Sequence, residues 1–210
     1  MSRPLVFALT GRSGSGKSAV SAAFAARGIP VLDCDEAARR AVDLPDCRDA
    51  LCRRFGSDLY PGGALDRPLL AARAFADKES TAALTAITHP FIIRLLLEQI
   101  ERAGERGSRY VVVDGSTIID GPFAPYCDKI MVVESSDPLR ISRILKRDGI
   151  TEQAAQARLA AQPSDEVFRA AADWVIQNKG TLAQLEDEIQ QALQTLERWA
   201  DEAGSKKTEH

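Results

Sequence analysis

A glycine-rich segment near the N-terminus constrains the fold of this chain more than any other feature. It reads Gly11-Arg12-Ser13-Gly14-Ser15-Gly16-Lys17-Ser18, two glycines five positions apart followed by lysine and serine, which is the phosphate-loop pattern. An apolar run from Leu5 to Thr10 precedes it, and good helix formers from Ser18 to Ala26 follow it. A strand, a loop and a helix in this order direct backbone N–H groups and the positive helix end at one anion. The segment therefore predicts a site for a polyphosphate.

The loop residues have distinct expected roles in binding a nucleoside triphosphate. Glycines allow close approach of the main chain, Lys17 supplies a charge to the β- and γ-phosphates, and the Ser18 hydroxyl can ligate Mg²⁺. Asn178-Lys179-Gly180-Thr181 lacks the final aspartate of a guanine reader, which argues against a GTP switch. The predicted nucleotide-binding residues of the loop are Gly11, Arg12, Ser13, Gly14, Ser15, Gly16, Lys17 and Ser18.

Composition limits the possible partners of the chain. Its 210 residues are 45% apolar, enough for a buried core, and the formal net charge of −3 creates no basic field for nucleic acid or an anionic membrane. No apolar run approaches the roughly 20 residues that a bilayer demands, and no signal peptide is evident. We expect a soluble cytoplasmic protein. Its four cysteines have neither zinc nor redox spacing, so we expect them to be reduced.

Alternating strands and helices predict an α/β fold of the P-loop NTPase type, with three layers and a five-stranded parallel sheet. The middle of the chain, from about residue 48 to 102, has helical periodicity, with a turn expected at Leu44-Pro45-Asp46 and breaks at Pro61-Gly62-Gly63 and His89-Pro90. A frayed tail is expected from 203 to 210. The expected strands are 5–10, 29–33, 110–114, 129–134 and 174–176, and the other expected helices are 18–26, 36–42, 138–148, 151–162 and 182–199.

Two aspartates follow predicted strands and are candidates for chemistry. Asp33 ends the second strand at the sheet edge where ligands bind, so its carboxylate can accept a proton from an attacking hydroxyl. An ordinary helix N-cap is the alternative for this pair of acids, with Asp35 the expected cap. Asp114 ends the third strand and can help to hold Mg²⁺ through water, or simply cap the strand end.

A basic helix near the C-terminal third indicates a lid. Arg140, Arg143 and Arg147 share roughly one face, and the following Asp148-Gly149 can hinge the segment over a γ-phosphate. At least one arginine is expected to bind phosphate, with Arg147 favoured over Arg143; a solvated basic helix is the alternative.

Three further polar residues are weaker candidates. Asn178 can read an adenine edge or serve as a turn residue. Arg67 and His89 lie at breaks in the helical middle, where a second substrate could bind; read alone, each is an ordinary surface or capping residue.

Taken together, several segments resemble the dephospho-coenzyme A kinase family over about residues 5 to 195. The resemblance implies ATP-dependent phosphorylation of the ribose 3′-hydroxyl of dephospho-coenzyme A, the last step of coenzyme A synthesis, with Mg²⁺. The segments that carry it are 8–18, 31–35, 63–67, 87–90, 143–149, Gln162, 172–173 and 175–180.

The resemblance also implies a division of labour within one kinase unit of residues 1–210. A nucleotide-binding core would comprise about 1–59, 109–137 and 166–200, a helical coenzyme-binding region 60–108, and a lid 138–165. Its catalytic residues would be Asp33, Lys17 and Arg147, with Asp33 the general base. Arg143, Arg147 and Asn178 would bind ATP, and Asp33, Arg67, His89 and Asp114 would lie on the acceptor side. A monomer or weak homo-oligomer is expected.

One segment departs from the family pattern. Ser116-Thr117-Ile118-Ile119-Asp120 replaces the usual Pro-Leu-Leu-Phe-Glu-like run, which puts acceptor contacts in doubt, although Asp120 retains a negative charge. Two other functions stay open at this point: a nucleoside or nucleotide kinase with a related core, and a nucleotide-binding regulator without phosphoryl transfer.

Overall fold

The computed structural model describes residues 3–119 and 121–208, with side chains described as far as residue 205. It divides into two compact units, the first comprising Met1–Leu32 with Arg102–His210 and the second Asp33–Glu101. Asp120 and the last two residues of the expected frayed tail lie outside the described residues.

A five-stranded parallel sheet organises the first unit, as the sequence predicts. The strand order is β2-β3-β1-β4-β5, so the strand that leads into the glycine-rich loop is central. Its two neighbours run parallel to it, with Leu9 opposite Asp114 on one side and Met131 on the other. The strands are β1 (Leu5–Thr10), β2 (Val31–Asp33), β3 (Tyr110–Asp114), β4 (Lys129–Glu134) and β5 (Trp174–Gln177).

Apolar side chains alternate along the strands and are buried on both faces. Phe7 and Leu9 pack with Phe24 of the first helix and Leu196 of the last in one core, whereas Ala8 is buried on the opposite face. Burial on both faces accounts for the nearly continuous β-branched runs in the sequence. The helices of this unit are α1 (Lys17–Ala26), α6 (Asp137–Asp148), α7 (Glu152–Ala160), α8 (Asp165–Ala171) and α9 (Leu182–Thr208).

The second unit is helical and has its own core. Leu51, Phe55, Leu59 and Leu70 are buried together, and the buried Tyr60 hydroxyl donates to the Val42 carbonyl at 2.5 Å. Short 3₁₀ turns at Ser57–Leu59 and Pro61–Gly63 mark the expected break. Its helices are α2 (Cys34–Ala41), α3 (Pro45–Phe55), α4 (Arg67–Ala74) and α5 (Lys78–Glu105), the last of which runs on into the first unit.

Four sequence predictions about element boundaries are wrong. A helix begins at Pro45 where a turn was expected, because proline suits the first helical position. Helix α5 continues through Pro90, whose ring is exposed, so the carbonyl that it leaves without a donor can face water. Helix α8 was not predicted, and α9 runs to Thr208, well into the expected frayed tail.

The length and hydropathy of helix α5 differ from the expectation that no segment of the chain is apolar enough to span a bilayer. Within the described residues it is the one helix long and apolar enough to cross a bilayer by length and composition alone, with a mean hydropathy of 1.4. Of that apolar window, 22% is buried in the protein. Threonines, His89, Pro90 and Arg94 interrupt the segment, which is why no continuous apolar run stands out in the sequence.

Candidate active site

The glycine-rich loop follows β1 and ends at the first turn of α1. Gly14 and Gly16 have φ of 77° and 97°, a left-handed backbone that side-chain-bearing residues rarely adopt. A Cβ at Gly14 would lie 2.6 Å from the Arg140 carbonyl oxygen, and one at Gly16 would lie 2.1 Å from Nδ2 of Asn178. Both glycines are therefore required by close neighbours as well as by the turn.

The loop presents donors that the described residues leave unsatisfied. The hydroxyl of Ser15 is buried without a hydrogen-bond partner among them. The first N–H groups of a helix lack intrahelical acceptors, and in α1 these are the N–H groups of Lys17 and Ser18, since the Ala19 N–H donates to the Gly16 carbonyl. Such a set of donors at the positive end of a helix fits the oxygens of a phosphate group.

Lys17 and Asp114 meet beside the loop. The Lys17 ammonium donates to the carboxylate of Asp114, which is buried at the end of β3. Ser18 is exposed in the first turn of α1, where its hydroxyl can ligate a cation. The described residues contain no cluster of three or more His, Cys, Asp or Glu side chains, so a bound metal would depend on the serine, the phosphates and water.

Arg143 on α6 lies against the loop. Its Nη1 donates to the Gly14 and Ser15 carbonyls, both at 3.0 Å, and its Nη2 donates to Oδ1 of Asn178 at 3.0 Å. No carboxylate among the described residues pairs with it, and burial lowers the pKa of Arg143. A partly desolvated cation with only neutral acceptors is electrostatically incomplete, and an anion at the loop would complete it.

Asn178 is buried and engaged with the loop itself. Its Nδ2 donates to the Ser15 carbonyl at 2.9 Å, and its Oδ1 accepts from Arg143 and from the Gly180 backbone N–H. The side chain that was expected to read an adenine edge thus holds the loop in this structure.

Two other contacts join the loop to α7 and to the turn that follows it. The Ser13 backbone N–H donates to Oε1 of Gln162 at 2.9 Å, and Nη2 of Arg12 donates to the Leu159 carbonyl at 2.6 Å. Gln162 is one of the residues that carry the family resemblance, but the sequence predicts no contact for it.

An acidic residue at the start of α8 was missed altogether. Asp165 accepts two hydrogen bonds from Arg140, at 2.7 Å each, and one from Arg12 at 3.3 Å. The Arg140 guanidinium holds the pKa of Asp165 below its usual range. Its only sequence signal was an acid near the start of a helix that was itself not predicted.

The structure gives the three arginines of α6 different surroundings. Arg140 is almost fully buried and paired with carboxylates, whereas Arg143 contacts the loop. The Arg147 side chain is 60% exposed and pairs with the neighbouring Asp148, through Nε at 2.7 Å. The order of preference expected from the sequence, Arg147 before Arg143, is therefore not the order in which the structure brings these residues to the loop.

In the second unit, Asp33 divides its carboxylate between two tasks. It is the N-cap of α2, with Oδ1 accepting from the backbone N–H groups of Asp35 at 2.7 Å and Glu36 at 3.2 Å. Its Oδ2 lies 3.7 Å from Nη2 of Arg39, and the side chain is 48% exposed. The cap is thus Asp33 rather than Asp35, and one oxygen of the candidate base stays accessible.

A cavity of about 270 Å³ lies within the second unit. Its walls combine apolar side chains, among them Val42, Leu70 and Phe75, with the cationic Arg39 and Arg67. Phe75 is 64% exposed, which is unusual for a large apolar residue. This mixture fits a ligand with an apolar portion and a negative charge.

His89 is placed differently from Arg67. Its Nδ1 is buried without a partner among the described residues, and burial lowers the pKa of the imidazole, so a neutral ring is favoured. It is not among the residues that line the cavity.

Known proteins are similar to this chain over most of its length. A family model described as dephospho-CoA kinase matches residues 5–184. A dephospho-CoA kinase from Deinococcus radiodurans is 39% identical over 195 residues, which cover 92% of this chain and 93% of that protein. Another, from Xanthomonas euvesicatoria, is 40% identical over 186 residues, covering 87% of this chain and 91% of that protein.

Solved structures give the same result for the fold. The Thermus thermophilus protein TT1252 superposes with a TM-score of 0.80 at 33% identity, covering 93% of this chain and 99% of its own. Dephospho-CoA kinase from Campylobacter jejuni has a TM-score of 0.63 at 24% identity, and the match covers 92% of this chain and 98% of that protein. Shikimate kinase from Acinetobacter baumannii has a TM-score of 0.51 at 18% identity, and the match covers 92% of this chain and 93% of that protein. At these lower identities the likeness concerns the fold, which is that of small P-loop kinases.

Proposed function

The chain belongs to the dephospho-CoA kinase family of enzymes, and from that premise we propose that it transfers the γ-phosphoryl group of ATP to the ribose 3′-hydroxyl of dephospho-coenzyme A. The products would be coenzyme A and ADP. The family supports the choice of substrates, and the chemistry of the loop supports the reaction type.

The observation that carries the proposal is the environment of Arg143. This guanidinium contacts two loop carbonyls and no described carboxylate, beside the unsatisfied Ser15 hydroxyl and the start of α1. Cationic and N–H donors arranged in advance stabilise the charge that moves onto phosphate oxygens during transfer. Lys17 would exchange Asp114 for the β- and γ-phosphates when nucleotide binds.

Magnesium fits the same set of residues. The Ser18 hydroxyl would hold the ion, with Asp114 nearby to bind its water molecules, and Mg²⁺ would neutralise charge on the phosphates. Mg²⁺ prefers oxygen ligands and retains several waters, so a site with one protein hydroxyl is sufficient.

The acceptor would use residues of the second unit. Oδ2 of Asp33, the oxygen not used for capping α2, would accept the proton of the 3′-hydroxyl. The cavity with Arg39 and Arg67 would receive the pyrophosphate and the pantetheine arm, in keeping with its apolar and cationic walls. As the resemblance implies, His89 would lie on the acceptor side, Arg147 would bind phosphate during transfer, and Asn178 would lie near the adenine of ATP.

We also propose a cytoplasmic protein that works as a monomer or weak homo-oligomer, with no nucleic-acid or membrane partner. The formal net charge of −3 supports the absence of a nucleic-acid partner.

The test is incubation of the protein with ATP, Mg²⁺ and dephospho-coenzyme A, followed by mass spectrometry for one added phosphate. The expected product has the mass of coenzyme A and depends on all three additions. Nucleoside monophosphates serve as competing acceptors in an ADP-release assay. Equal or faster turnover of those nucleotides would contradict the proposal and favour a nucleotide kinase.

A further inference from the structure

A carboxylate on α8 joins two arginines that belong to different elements. Asp165 receives both terminal nitrogens of Arg140 on α6, at 2.7 Å, in a bidentate pair. The same carboxylate accepts from Nη1 of Arg12, the second residue of the loop, at 3.3 Å. Asp137 supplies a further acceptor for Arg140 at 3.0 Å. One acidic side chain thus connects the loop to α6 and α8.

Burial makes this connection strong. Arg140 and Arg12 have side chains that are 2% and 10% exposed, so neither guanidinium can be satisfied by bulk water. Removing one partner of a buried ion pair leaves an uncompensated charge, which costs far more than the pair contributes. Two carboxylates compensate these desolvated cations, and Asp165, whose side chain is 23% exposed against 58% for Asp137, is the more buried of the two.

The connection also fixes the backbone of the loop. The main chain of Arg140 is the surface against which Gly14 packs, since a Cβ at Gly14 would lie 2.6 Å from its carbonyl oxygen. Arg143 lies one turn further along the same helix and donates to the Gly14 and Ser15 carbonyls. A shift of Arg140 would therefore move both the packing surface of the loop and the guanidinium that donates to the loop carbonyls.

The distribution of carboxylates separates the three arginines by role. Arg140 and Arg12 share Asp165, whereas Arg143 has no carboxylate among the described residues. Of these three arginines, only Arg143 has a positive charge that no described carboxylate balances, so a polyphosphate can balance it. Were Asp165 neutral, Arg140 and Arg12 would keep only the more exposed Asp137, which lies 3.9 Å from Nη1 of Arg12, and the bidentate pair that fixes Arg140 against the loop would be lost.

We propose that Asp165 is a positioning residue for phosphoryl transfer, which sets the geometry of the phosphate loop by holding Arg12 and Arg140 together. The proposal rests on the proposed function for its link to catalysis, but its effect on nucleotide binding is independent of the acceptor. Reacting groups must be held within a fraction of an ångström, and misplacement by about 1 Å costs on the order of 10²-fold in rate.

The test compares Asp165→Asn with Glu166→Gln. Glu166 is the next residue, exposed in the same first turn of α8, so its substitution removes one negative charge from that turn without touching Arg12 or Arg140. The readouts are ADP and ATP affinity by calorimetry, KM for ATP, KM for dephospho-coenzyme A, and the melting temperature. For Asp165→Asn we expect nucleotide affinity to fall by about 10-fold or more, with the acceptor KM changed less than about 3-fold. Glu166→Gln should match wild type.

A double variant separates positioning from stability. Arg140→Gln with Asp165→Asn removes both charges of the bidentate pair and leaves two amides that can bond to each other, so folding should recover relative to Asp165→Asn alone. Nucleotide affinity should nevertheless stay low, because Arg12 has lost the closer of its two carboxylates and keeps only Asp137, 3.9 Å away. Wild-type affinity in a folded Asp165→Asn variant, or full recovery in the double variant, would overturn the proposal.

The same measurements separate this proposal from the proposed function. If wild-type protein binds ADP but does not phosphorylate dephospho-coenzyme A, the function fails, while the affinity loss in Asp165→Asn still tests the positioning of the loop. If wild-type protein is active and Asp165→Asn retains its nucleotide affinity and rate, the positioning role fails and the function stands.

Discussion

Asp33 illustrates how one side chain can serve the fold and the chemistry with different atoms. Oδ1 caps α2, and Oδ2 is the oxygen left for a substrate proton. Replacement by alanine would remove both functions at once, so its effect on rate would mix lost capping with lost chemistry. A variant that retains the capping oxygen is needed to separate them.

Asp33→Asn is that variant, because asparagine is as good an N-cap as aspartate but a far weaker base. We expect turnover to fall by about 10² or more, with the melting temperature and ATP affinity close to wild type. Asp33→Ser, which also caps a helix, is the matched control and should lose a similar factor. An unchanged rate in Asp33→Asn would remove Asp33 from the mechanism and would suit a nucleotide-binding regulator.

Gly16→Ala tests whether the loop depends on its close contact with Asn178. The new Cβ would lie 2.1 Å from Nδ2 of Asn178 at a φ of 97°, so the loop must shift, and we expect nucleotide affinity to fall by at least about 10-fold. Gly28→Ala is the control: it has a similar φ of 81° but nothing within 4 Å of the added Cβ. Calorimetric titration with ADP should show wild-type affinity in the control, which pays only backbone strain of about 1 kcal/mol.

Residues next to one another in the sequence were easier to predict than residues that meet through the fold. The loop from Gly11 to Ser18 could be assigned because its roles follow from local spacing and from the strand and helix around it. Asp165 could not, since its contact with Arg12 joins residues 153 positions apart. The roles of Arg143 and Arg147 were ranked without knowledge of which helix face meets the loop, and that face depends on packing.

At the scale of elements, the strands were predicted well because burial on both faces leaves continuous β-branched runs. Helix ends were predicted less well. Proline was read as a break at residues 45 and 90, yet it begins α3 and lies inside α5. A proline at the first helical position has no N–H to lose, and an exposed proline inside a helix leaves a carbonyl that water can satisfy.

Pro90→Ala should therefore stabilise the protein. Alanine restores the N–H that can donate to the Ala86 carbonyl, and its helix propensity is higher by up to about 3 kcal/mol in an isolated helix. The native helix already accommodates the ring, and proline also restricts the unfolded chain, so we expect a gain of about 1 kcal/mol in the free energy of unfolding. Urea denaturation would measure it, with the exposed Thr85→Ala on the same helix as a propensity control. Loss of stability in Pro90→Ala would contradict a continuous α5.

For the whole molecule, the parallel sheet and its central loop were predictable, whereas the grouping of helices was not. Helix α3 shares a core with α4 and the beginning of α5. The compact second unit begins earlier, at Asp33, and so includes α2 as well. The implied coenzyme-binding region begins near residue 60, and its boundaries stay a prediction. Sequence periodicity shows that a helix has an apolar face, but it does not show which core that face joins.

Each unit contains a thiol whose pKa is raised by desolvation, and this predicts an alkaline limit to stability. Burial raises the pKa of Cys47 from 9.0 to about 11 and that of Cys127 from 9.0 to about 12. Because the folded values lie above the unfolded ones, this stability is complete below about pH 9 and is lost as the pH rises through 11 and 12. The pKa of Cys47 is raised by about two pH units, so this thiol should lower the free energy of unfolding by about 2 kcal/mol between pH 8 and pH 11. Urea denaturation at these pH values would measure the loss.

Cys47→Ala tests this origin of the pH dependence. The substitution lowers stability at every pH by leaving a small cavity, but the decline above pH 9 should become shallower, because the thiol no longer titrates. An unchanged slope would assign the alkaline limit to other groups, such as Tyr60, whose pKa burial raises to about 12.

The unbalanced positive charge of Arg143 has a consequence for anions other than the enzyme's own substrates. A guanidinium that has given up water without gaining a negative neighbour attracts any small oxyanion in solution. Sulfate or inorganic phosphate in a buffer would occupy the same place as the tail of a nucleotide. Affinities measured in phosphate buffer would then be weaker than those measured in chloride, and the choice of salt becomes part of every binding constant reported for this protein.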